Sequence, residues 1–258
     1  MIRTCSNYIS VVLVLFFLSS CVSKKKIVYF QNGAIDQENV SNNYKTTFKA
    51  DDLLEIIISA KDDEAVKPFN LSAVAFSNTT NNPIGTPQQQ LYLIDSKGEI
   101  VLPILGNIKI GGLTKEQGIS LIKDKLDPEY VKDPSVNIRI TNFKITVLGD
   151  VIRPGVYNVP NERISIMEAI GLAGDLNISG VRDSIKVTRE EGGVKKIYNV
   201  NLLSNEVFSS PVYYLQQNDL VYVKPNKAKM QSASYNQNTG LFVSIGSILI
   251  SLLAILSR

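Results

Sequence analysis

The segment Phe143-Lys-Ile-Thr-Val-Leu-Gly-Asp-Val-Ile-Arg-Pro-Gly-Val-Tyr157 decides the fold of the central part of the chain. Apolar and polar residues alternate over its first five positions, which predicts a strand that buries one face. Its Pro154-Gly155 pair predicts a turn. Ser165-Ile-Met-Glu168 then has the spacing of a capping box that opens a short helix. Strands around one helix predict a small β-grasp-like domain over residues 142–226.

A hairpin and a final strand complete this domain. Ser184 to Arg189 and Lys195 to Leu202 flank Gly192-Gly193, a pair typical of a tight hairpin turn. The apolar run Leu220-Val-Tyr-Val223 then predicts the strand that closes the sheet. Residues 227–239 are rich in Asn, Gln and Ser, and we expect them to be a linker.

The residues before this domain predict a separate α+β unit over 44–141. Leu53 to Ser59 is a β-branched run that indicates a strand. Thr114-Lys-Glu-Gln117 is a second capping box, and it predicts a helix. Alternation predicts a last strand through Val136, Ile138 and Ile140.

Two further features of this unit are predicted less directly. Leu91 to Asp95 and Glu99 to Pro103 flank Ser96-Lys97-Gly98, which indicates a hairpin. The polar segment from Ser77 to Gln90 is expected to be a loop, because prolines, asparagines and glutamines dominate it.

Composition excludes several functional classes. The chain of 258 residues is 44% hydrophobic and 20% charged, which suits one or two packed domains. It has no histidine and only two cysteines, so a histidine proton shuttle and a His/Cys zinc site are excluded. Lys plus Arg number 27 against 24 Asp plus Glu, which argues against a nucleic-acid partner. We therefore expect no metal and no cofactor.

The amino terminus indicates export and lipidation. After Arg3, the apolar stretch from Ile9 to Leu18 is too short to span a bilayer, which favours a signal peptide over residues 1–20. Two serines and Cys21 follow, which resembles a bacterial lipobox with Cys21 as the site of lipid attachment. Residues 21–43 would then be a lipidated tether whose three lysines, 24–26, either meet anionic headgroups or are solvated. The alternative is an ordinary signal peptide with an incidental cysteine.

The carboxyl terminus indicates a second membrane element. Gly240 to Leu256 is uncharged and would be about 25 Å long as a helix, so an amphipathic transmembrane helix is predicted over 240–257. One stripe of this helix is small and polar, and we expect it to line a channel or to pack against another helix. The stripe contains Gly240, Ser244, Ser247 and Ser251. The alternative is a lone anchor whose serines bond to their own helix carbonyls.

The chain resembles a known family. Leu102-Pro-Ile-Leu-Gly-Asn-Ile-Lys-Ile-Gly-Gly-Leu-Thr114, the segment Val147 to Tyr157 and the helix Met167 to Gly174 are similar to the polysaccharide export outer-membrane lipoproteins, the Wza-type translocons. The second domain of those proteins is a β-grasp domain called SLBB. The resemblance departs where Ala50-Asp51-Asp52 replaces the usual Pro-Gly-Asp.

The resemblance implies a lipid-anchored channel for capsular or exopolysaccharide in the bacterial outer membrane, with its main body in the periplasm. It implies a homo-oligomeric ring, often an octamer, that contacts outer-membrane lipid. It also implies an inner-membrane copolymerase partner, with or without a tyrosine-kinase domain. No catalytic residue is implied.

Two other classes were compared with this channel. The first is a lipid-anchored periplasmic protein that binds glycan or acts as a scaffold and forms no pore. The second is a glycoside hydrolase, because the acidic residues at 51, 52, 55 and 62–64 could in principle pair. Solvated loop charges are the better interpretation of that cluster, because nothing in the sequence supplies a pocket that would raise a carboxyl pKa. Tyr213, Tyr214 and Tyr222 indicate sheet packing rather than a platform for sugars.

Overall fold

The computed structural model describes residues 24–33, 46–76, 83–233 and 239–256 of the chain. These residues form a mixed α+β structure with two separate clusters of buried apolar side chains. Ile140 is half-buried and packs against both clusters. The chain is therefore built as two units joined near this residue, and the domain bounds stay predictions.

The first unit is built on a three-stranded antiparallel sheet. Its central strand β1 pairs with β4 on one side and with β7 on the other. The helix α2 begins at a capping box in which the Thr114 hydroxyl accepts from the Gln117 amide, as the sequence predicted, and it packs on β7. Its elements are β1 (Leu53–Ser59), α1 (Asp63–Val66), β2 (Ser72–Phe76), β3 (Pro83–Gln89), β4 (Leu91–Leu93), β5 (Glu99–Leu102), β6 (Gly106–Lys109), α2 (Lys115–Leu126) and β7 (Ser135–Ile140).

Two predictions for the first unit are wrong in part. The expected loop contains a strand, because β3 pairs with β2 through backbone groups, and such pairing does not depend on apolar side chains. The predicted hairpin keeps its turn, where the Asp95 amide donates to the Glu99 carbonyl, but its strands have other partners: β4 pairs with β1 and β5 pairs with β6. The Asp95 side chain accepts from the amides of Lys97 and Glu99, and this tight turn leads from one sheet into another.

The second unit is a five-stranded sheet around one short helix. The strand order is β12-β11-β14-β8-β9, with β14 parallel to β8 and the other pairs antiparallel. The predicted hairpin between β11 and β12 and the predicted closing strand β14 are confirmed. Its elements are β8 (Lys144–Gly149), β9 (Gly155–Asn158), β10 (Ile164–Ser165), α3 (Ile166–Leu172), β11 (Ile185–Glu191), β12 (Val194–Val200), β13 (Tyr214–Leu215) and β14 (Leu220–Val223).

Gly149 allows the close approach of β8 to β14. Its φ is +96°, a left-handed conformation that side chains rarely adopt, and a Cβ here would lie 1.9 Å from the Val223 carbonyl oxygen. The parallel pairing of these two strands therefore requires glycine at this position.

The five-stranded sheet has two ends that face different parts of the molecule. We call residues 142–144, 190–195 and 216–219 the junction end, because they lie beside the first unit. We call residues 149–153, 175–185, 200–205 and 223–227 the outer end. Strands β8 and β14 end there, and β11 begins there.

The carboxyl-terminal residues form two helices, α4 (Lys227–Ala233) and α5 (Thr239–Leu256). The expected linker is thus helical over its first seven residues, and residues 234–238 lie outside the described part. The predicted transmembrane helix over 240–257 is wrong: within the described ranges, no helix combines the length and apolarity needed to cross a membrane. The 18 residues of α5 extend about 27 Å, short of the roughly 30 Å hydrocarbon core, and Gly and Ser recur along it.

Candidate functional site: the cleft between the two units

A polar cleft of about 850 Å³ lies between the first unit and the junction end of the second. It is large enough for a ligand of several rings, since ligand pockets are commonly a few hundred to a thousand cubic ångströms. The first unit contributes Lys49, Asp51, Lys97, Lys109, Gly111 and Gly112 to its walls. The second unit contributes Thr188, Glu190, Glu191, Gly192, Gly193, Lys195, Gln216, Gln217 and Asn218.

Turns form the first-unit wall of the cleft. The Gly98 carbonyl accepts hydrogen bonds from the amides of Ile110 and Gly111, which brings the turn before β5 against the segment after β6. A Cβ on Gly111 would lie 2.8 Å from the Gly98 Cα, so the two backbones touch where side chains would otherwise fill the space. Lys97 is exposed on this wall, and the Lys109 ammonium donates to the Lys97 carbonyl.

A polar turn forms the second-unit wall. Gln217 is buried, and its amide accepts from the Lys144 amide (2.7 Å) and donates to the Asn142 carbonyl (3.0 Å). The next residue, Asn218, has a φ of +65° and donates its amide to the Lys144 carbonyl. The turn is therefore fixed to the start of β8, while the Gln216 and Asn218 side chains remain at the cleft.

A buried ion pair supports the same turn. The Arg189 guanidinium donates to both Asp219 oxygens, with the shortest distance 2.7 Å, and also to the Tyr214 and Pro211 carbonyls. Asp219 accepts in addition from the Gln216 amide at 2.8 Å. Burial raises the pKa of Asp219, and the Arg189 guanidinium opposes that increase.

Direct contacts hold the two units together around the cleft. The Lys49 ammonium donates to the Gln216 side-chain oxygen (3.1 Å) and to the Glu190 carbonyl (3.3 Å). Asn142 donates from its side chain to the Asp51 carbonyl and accepts from the Leu53 amide. Beyond the cleft, Lys115 pairs with Glu162 and Arg139 donates to the Pro160 carbonyl. The cleft thus has defined walls within a single chain.

The chemistry of the cleft suits a hydroxyl-rich ligand. Its walls carry side-chain amides, lysines, carboxylates and open backbone at Gly112, Gly192 and Gly193, where a Cβ would meet nothing within 4 Å. Such groups donate and accept hydrogen bonds in both directions, as sugar hydroxyls require. The Lys97 and Lys195 ammonium groups form no ion pair with the described residues, so both are available to a ligand.

The acidic residues that were considered as a hydrolytic pair have structural roles in the fold. Asp52 is buried, its Oδ2 accepts from the Lys49 amide at 2.8 Å, and burial raises its pKa to about 6. Asp62 caps α1, and Glu64 pairs with Lys67. Glu55 lies opposite Arg139 across the sheet. Among the described residues, no group of His, Cys, Asp and Glu has the arrangement of a metal site.

Of the residues predicted as sites from the sequence, those that the structure describes do not line this cleft. Cys21 lies outside the described residues. On α5, the hydroxyls of Ser244, Ser247 and Ser251 donate at 2.8 Å to the carbonyls of Gly240, Ser244 and Ser247. Back-bonding of this kind is the alternative that the sequence left open. A channel-lining role for this stripe stays a prediction.

The cleft residues were not predicted as a site from the sequence. A signal was present in Gln216-Gln-Asn-Asp219, four polar residues directly before the apolar strand β14. The sequence also indicated that Arg189 points inward, because alternate residues of a strand face the same side and Arg189 alternates with the buried Ile185 and Val187. Neither signal shows that the first unit lies opposite.

Known families match the same two parts of the chain. Residues 40–141 match the model of the polysaccharide biosynthesis/export proteins, and residues 144–198 match the SLBB domain. A polysaccharide export outer membrane protein for EPS I, named EpsA, from Ralstonia solanacearum is 27% identical over 183 residues. That match covers 68% of this chain and 47% of the relative. The EpsA of Ralstonia nicotianae is 26% identical over 147 residues, covering 54% of this chain and 37% of the relative. This chain thus spans less than half the length of either relative.

Proposed function

Because this chain belongs to the polysaccharide biosynthesis/export family and carries an SLBB domain, we propose that it acts in polysaccharide export at the bacterial outer membrane. The observation that carries the proposal is the match of both family models, in order, to residues 40–141 and 144–198. Two relatives named as polysaccharide export outer membrane proteins support it. The role is transport and not catalysis.

More specifically, we propose that the chain is one subunit of an export channel. Copies of the chain form a ring, an octamer by family resemblance, through which capsular or exopolysaccharide passes. Cys21 carries the acyl chains, so that the main body lies in the periplasm beside outer-membrane lipid. An inner-membrane copolymerase, with or without a kinase domain, delivers the polymer.

The cleft gives this proposal a contact surface for the polymer. Its lysines, amides and open glycine backbone bind sugar hydroxyls and any acidic substituents as the chain passes. Lysines are suited to this task, because a flexible ammonium group pairs with an anion without demanding one fixed geometry. Contacts of moderate strength also permit release, which transport requires.

Charge reversals inside and outside the cleft test whether the cleft contacts the polymer. In a strain that lacks its own copy, we expect Lys97→Glu with Lys195→Glu to lower surface polysaccharide several-fold relative to the unmodified chain. Lys125→Glu is the control, since Lys125 is an exposed lysine on α2 outside the cleft. Equal export by both variants at equal protein levels would remove the cleft from the transport path.

A second candidate is favoured by one observation: the cleft is complete within a single chain. A lipid-anchored glycan-binding or scaffolding protein would need only such a cleft and no ring. Electron microscopy of the full-length, acylated protein in mild detergent separates the two. Closed rings with a central opening support the channel, whereas single particles of one chain support the anchored binding protein.

A further inference from the structure

We infer that the outer end of the second unit is a lipid-contacting surface, with the loop around Ile178 entering the membrane interface. The inference deepens the proposed function and rests on its lipid attachment at Cys21. Three observations support it: both chain ends leave the fold at this end, apolar side chains are exposed there, and the first unit lies at the opposite end.

The amino-terminal segment is fixed to the outer end. The amides of Phe30 and Gln31 donate to the Leu202 and Leu203 carbonyls, at 3.1 and 2.7 Å. The Asn205 amide donates to the Asn32 carbonyl, and the Asn205 side chain donates to the Gly33 carbonyl. These bonds join residues about 170 positions apart in sequence, so the segment is docked on the second unit before the chain enters the first.

Side chains reinforce this docking. The Tyr29 hydroxyl donates to Asp175, and the Arg182 guanidinium lies 5.5 Å from the centre of the Tyr29 ring. Burial and the hydrogen bond to Asp175 raise the pKa of Tyr29 to about 12, so the hydroxyl remains a donor at physiological pH. The segment therefore stays attached to the loop from Asp175 to Arg182.

The carboxyl-terminal helices leave from the same loop. Gly180 forms a bridge with Pro225, and the Asn226 amide donates to the Ser179 carbonyl. Helix α4 begins at the next residue, and its Lys229 pairs with Asp150. Both chain ends thus depart from one end of one unit, whereas the first unit lies at the opposite end of the sheet.

This surface has the composition of a membrane interface. Ile178, on the loop from Asp175 to Arg182, is 72% exposed. Ile152 (58%) and Leu172 (42%) are exposed on two segments that contact this loop. Asp150 is paired with Lys229, whereas Asp175 accepts from the neutral Tyr29 hydroxyl and keeps its charge. The exposed basic residues Lys25, Lys26, Arg153, Lys224 and Lys227 outnumber the exposed acidic residues Asp175, Asp183 and Glu206. Apolar tips surrounded by basic residues suit anionic lipid.

The short segment between Cys21 and the docked residues places the bilayer near this surface. Cys21 precedes Lys24 by three residues, which extend at most about 11 Å. Cys21 lies eight residues before Tyr29, where contact with the second unit begins, so an acylated Cys21 holds the headgroups within about 29 Å of that contact. A second copy of the chain is the other possible occupant, but the anchor selects lipid because it keeps the bilayer within this reach.

The absence of tryptophan from the chain makes a direct test possible. We would replace Ile178 with tryptophan in the full-length, acylated protein and bind it to phosphatidylethanolamine/phosphatidylglycerol vesicles with brominated acyl chains. Ile197→Trp is the matched control, because Ile197 is 61% exposed on the edge strand β12, away from both ends of the sheet. We expect a roughly twofold loss of emission for Ile178→Trp, and little loss for Ile197→Trp, since interfacial side chains insert about 5–10 Å.

Flotation of the same vesicles separates the possible failures. If both variants float but Ile178→Trp is not quenched, the inference is overturned while lipid anchoring stands; a second copy covering the loop would give this result. Equal quenching of both variants also overturns it. If neither variant floats, the lipid attachment in the proposed function fails and the inference fails with it. Circular dichroism of both variants confirms that the exposed substitutions leave the fold intact.

Discussion

Replacing Arg189 with methionine tests how the cleft turn is supported. The Arg189 and Asp219 side chains are 4% and 1% exposed, so their charges have no access to water. The substitution removes every hydrogen bond that the guanidinium makes, and Asp219 retains only the Gln216 amide as a donor. Loss of one partner of a buried ion pair costs about 3–5 kcal/mol. We therefore expect Arg189→Met to lower the free energy of unfolding by about 4 kcal/mol.

A double variant separates the charge from the packing. Arg189→Met with Asp219→Leu leaves no uncompensated charge, and its cost should be smaller, about 1–2 kcal/mol for the hydrogen bonds lost at Gln216 and Tyr214. The single variant should also recover stability as the pH falls. Burial already raises the pKa of Asp219, and removal of the guanidinium raises it further, so protonation relieves the penalty.

Urea denaturation followed by circular dichroism, at pH 7 and at pH 5, measures both effects. The Lys125→Glu variant controls for a charge change at an exposed site. A single-variant cost below about 1 kcal/mol, or a double variant as unstable as the single, would refute the assignment of the loss to an uncompensated Asp219.

Two further predictions concern the rest of the fold. Burial raises the pKa of Asp52 from 3.8 to about 6, so the folded state binds the proton more tightly and the free energy of unfolding falls as the pH rises through this interval. Asp52→Asn should remove that dependence and stabilise the protein at pH 7 by up to about 3 kcal/mol, measured by urea titrations from pH 4 to 7; an unchanged pH profile would contradict it. Gly149→Ala should destabilise the second unit by more than about 2 kcal/mol, because a Cβ would lie 1.9 Å from the Val223 carbonyl oxygen. Thermal unfolding checks this, with Gly192→Ala as a control whose φ is also positive (+60°) but whose Cβ would meet no neighbour.

Local signals in the sequence were sufficient for many elements. Alternating apolar residues predicted β7 and β8, and the two capping boxes predicted the starts of α2 and α3. Gly192-Gly193 predicted the turn between β11 and β12. These signals succeed because backbone hydrogen bonding and side-chain burial within an element depend on residues that are close in sequence.

The sequence was less informative where pairing choices were not local. Strand β5 could pair with either neighbour, and only packing chose β6. The polar strand β3 had no apolar pattern to mark it, since its partner β2 supplies the backbone bonds. Apolarity alone also led to the wrong prediction that α5 spans a membrane, because a spanning helix must meet requirements of both length and composition.

From the sequence alone came the two α+β units, the resemblance to polysaccharide export proteins and the predicted lipid attachment at Cys21. Only the tertiary structure placed Lys49 against Gln216 to form the cleft, and docked residues 29–33 beside the loop that leads to α4. Such features join residues more than a hundred positions apart. No local propensity encodes their proximity, because it follows from how whole units pack and bury their surfaces.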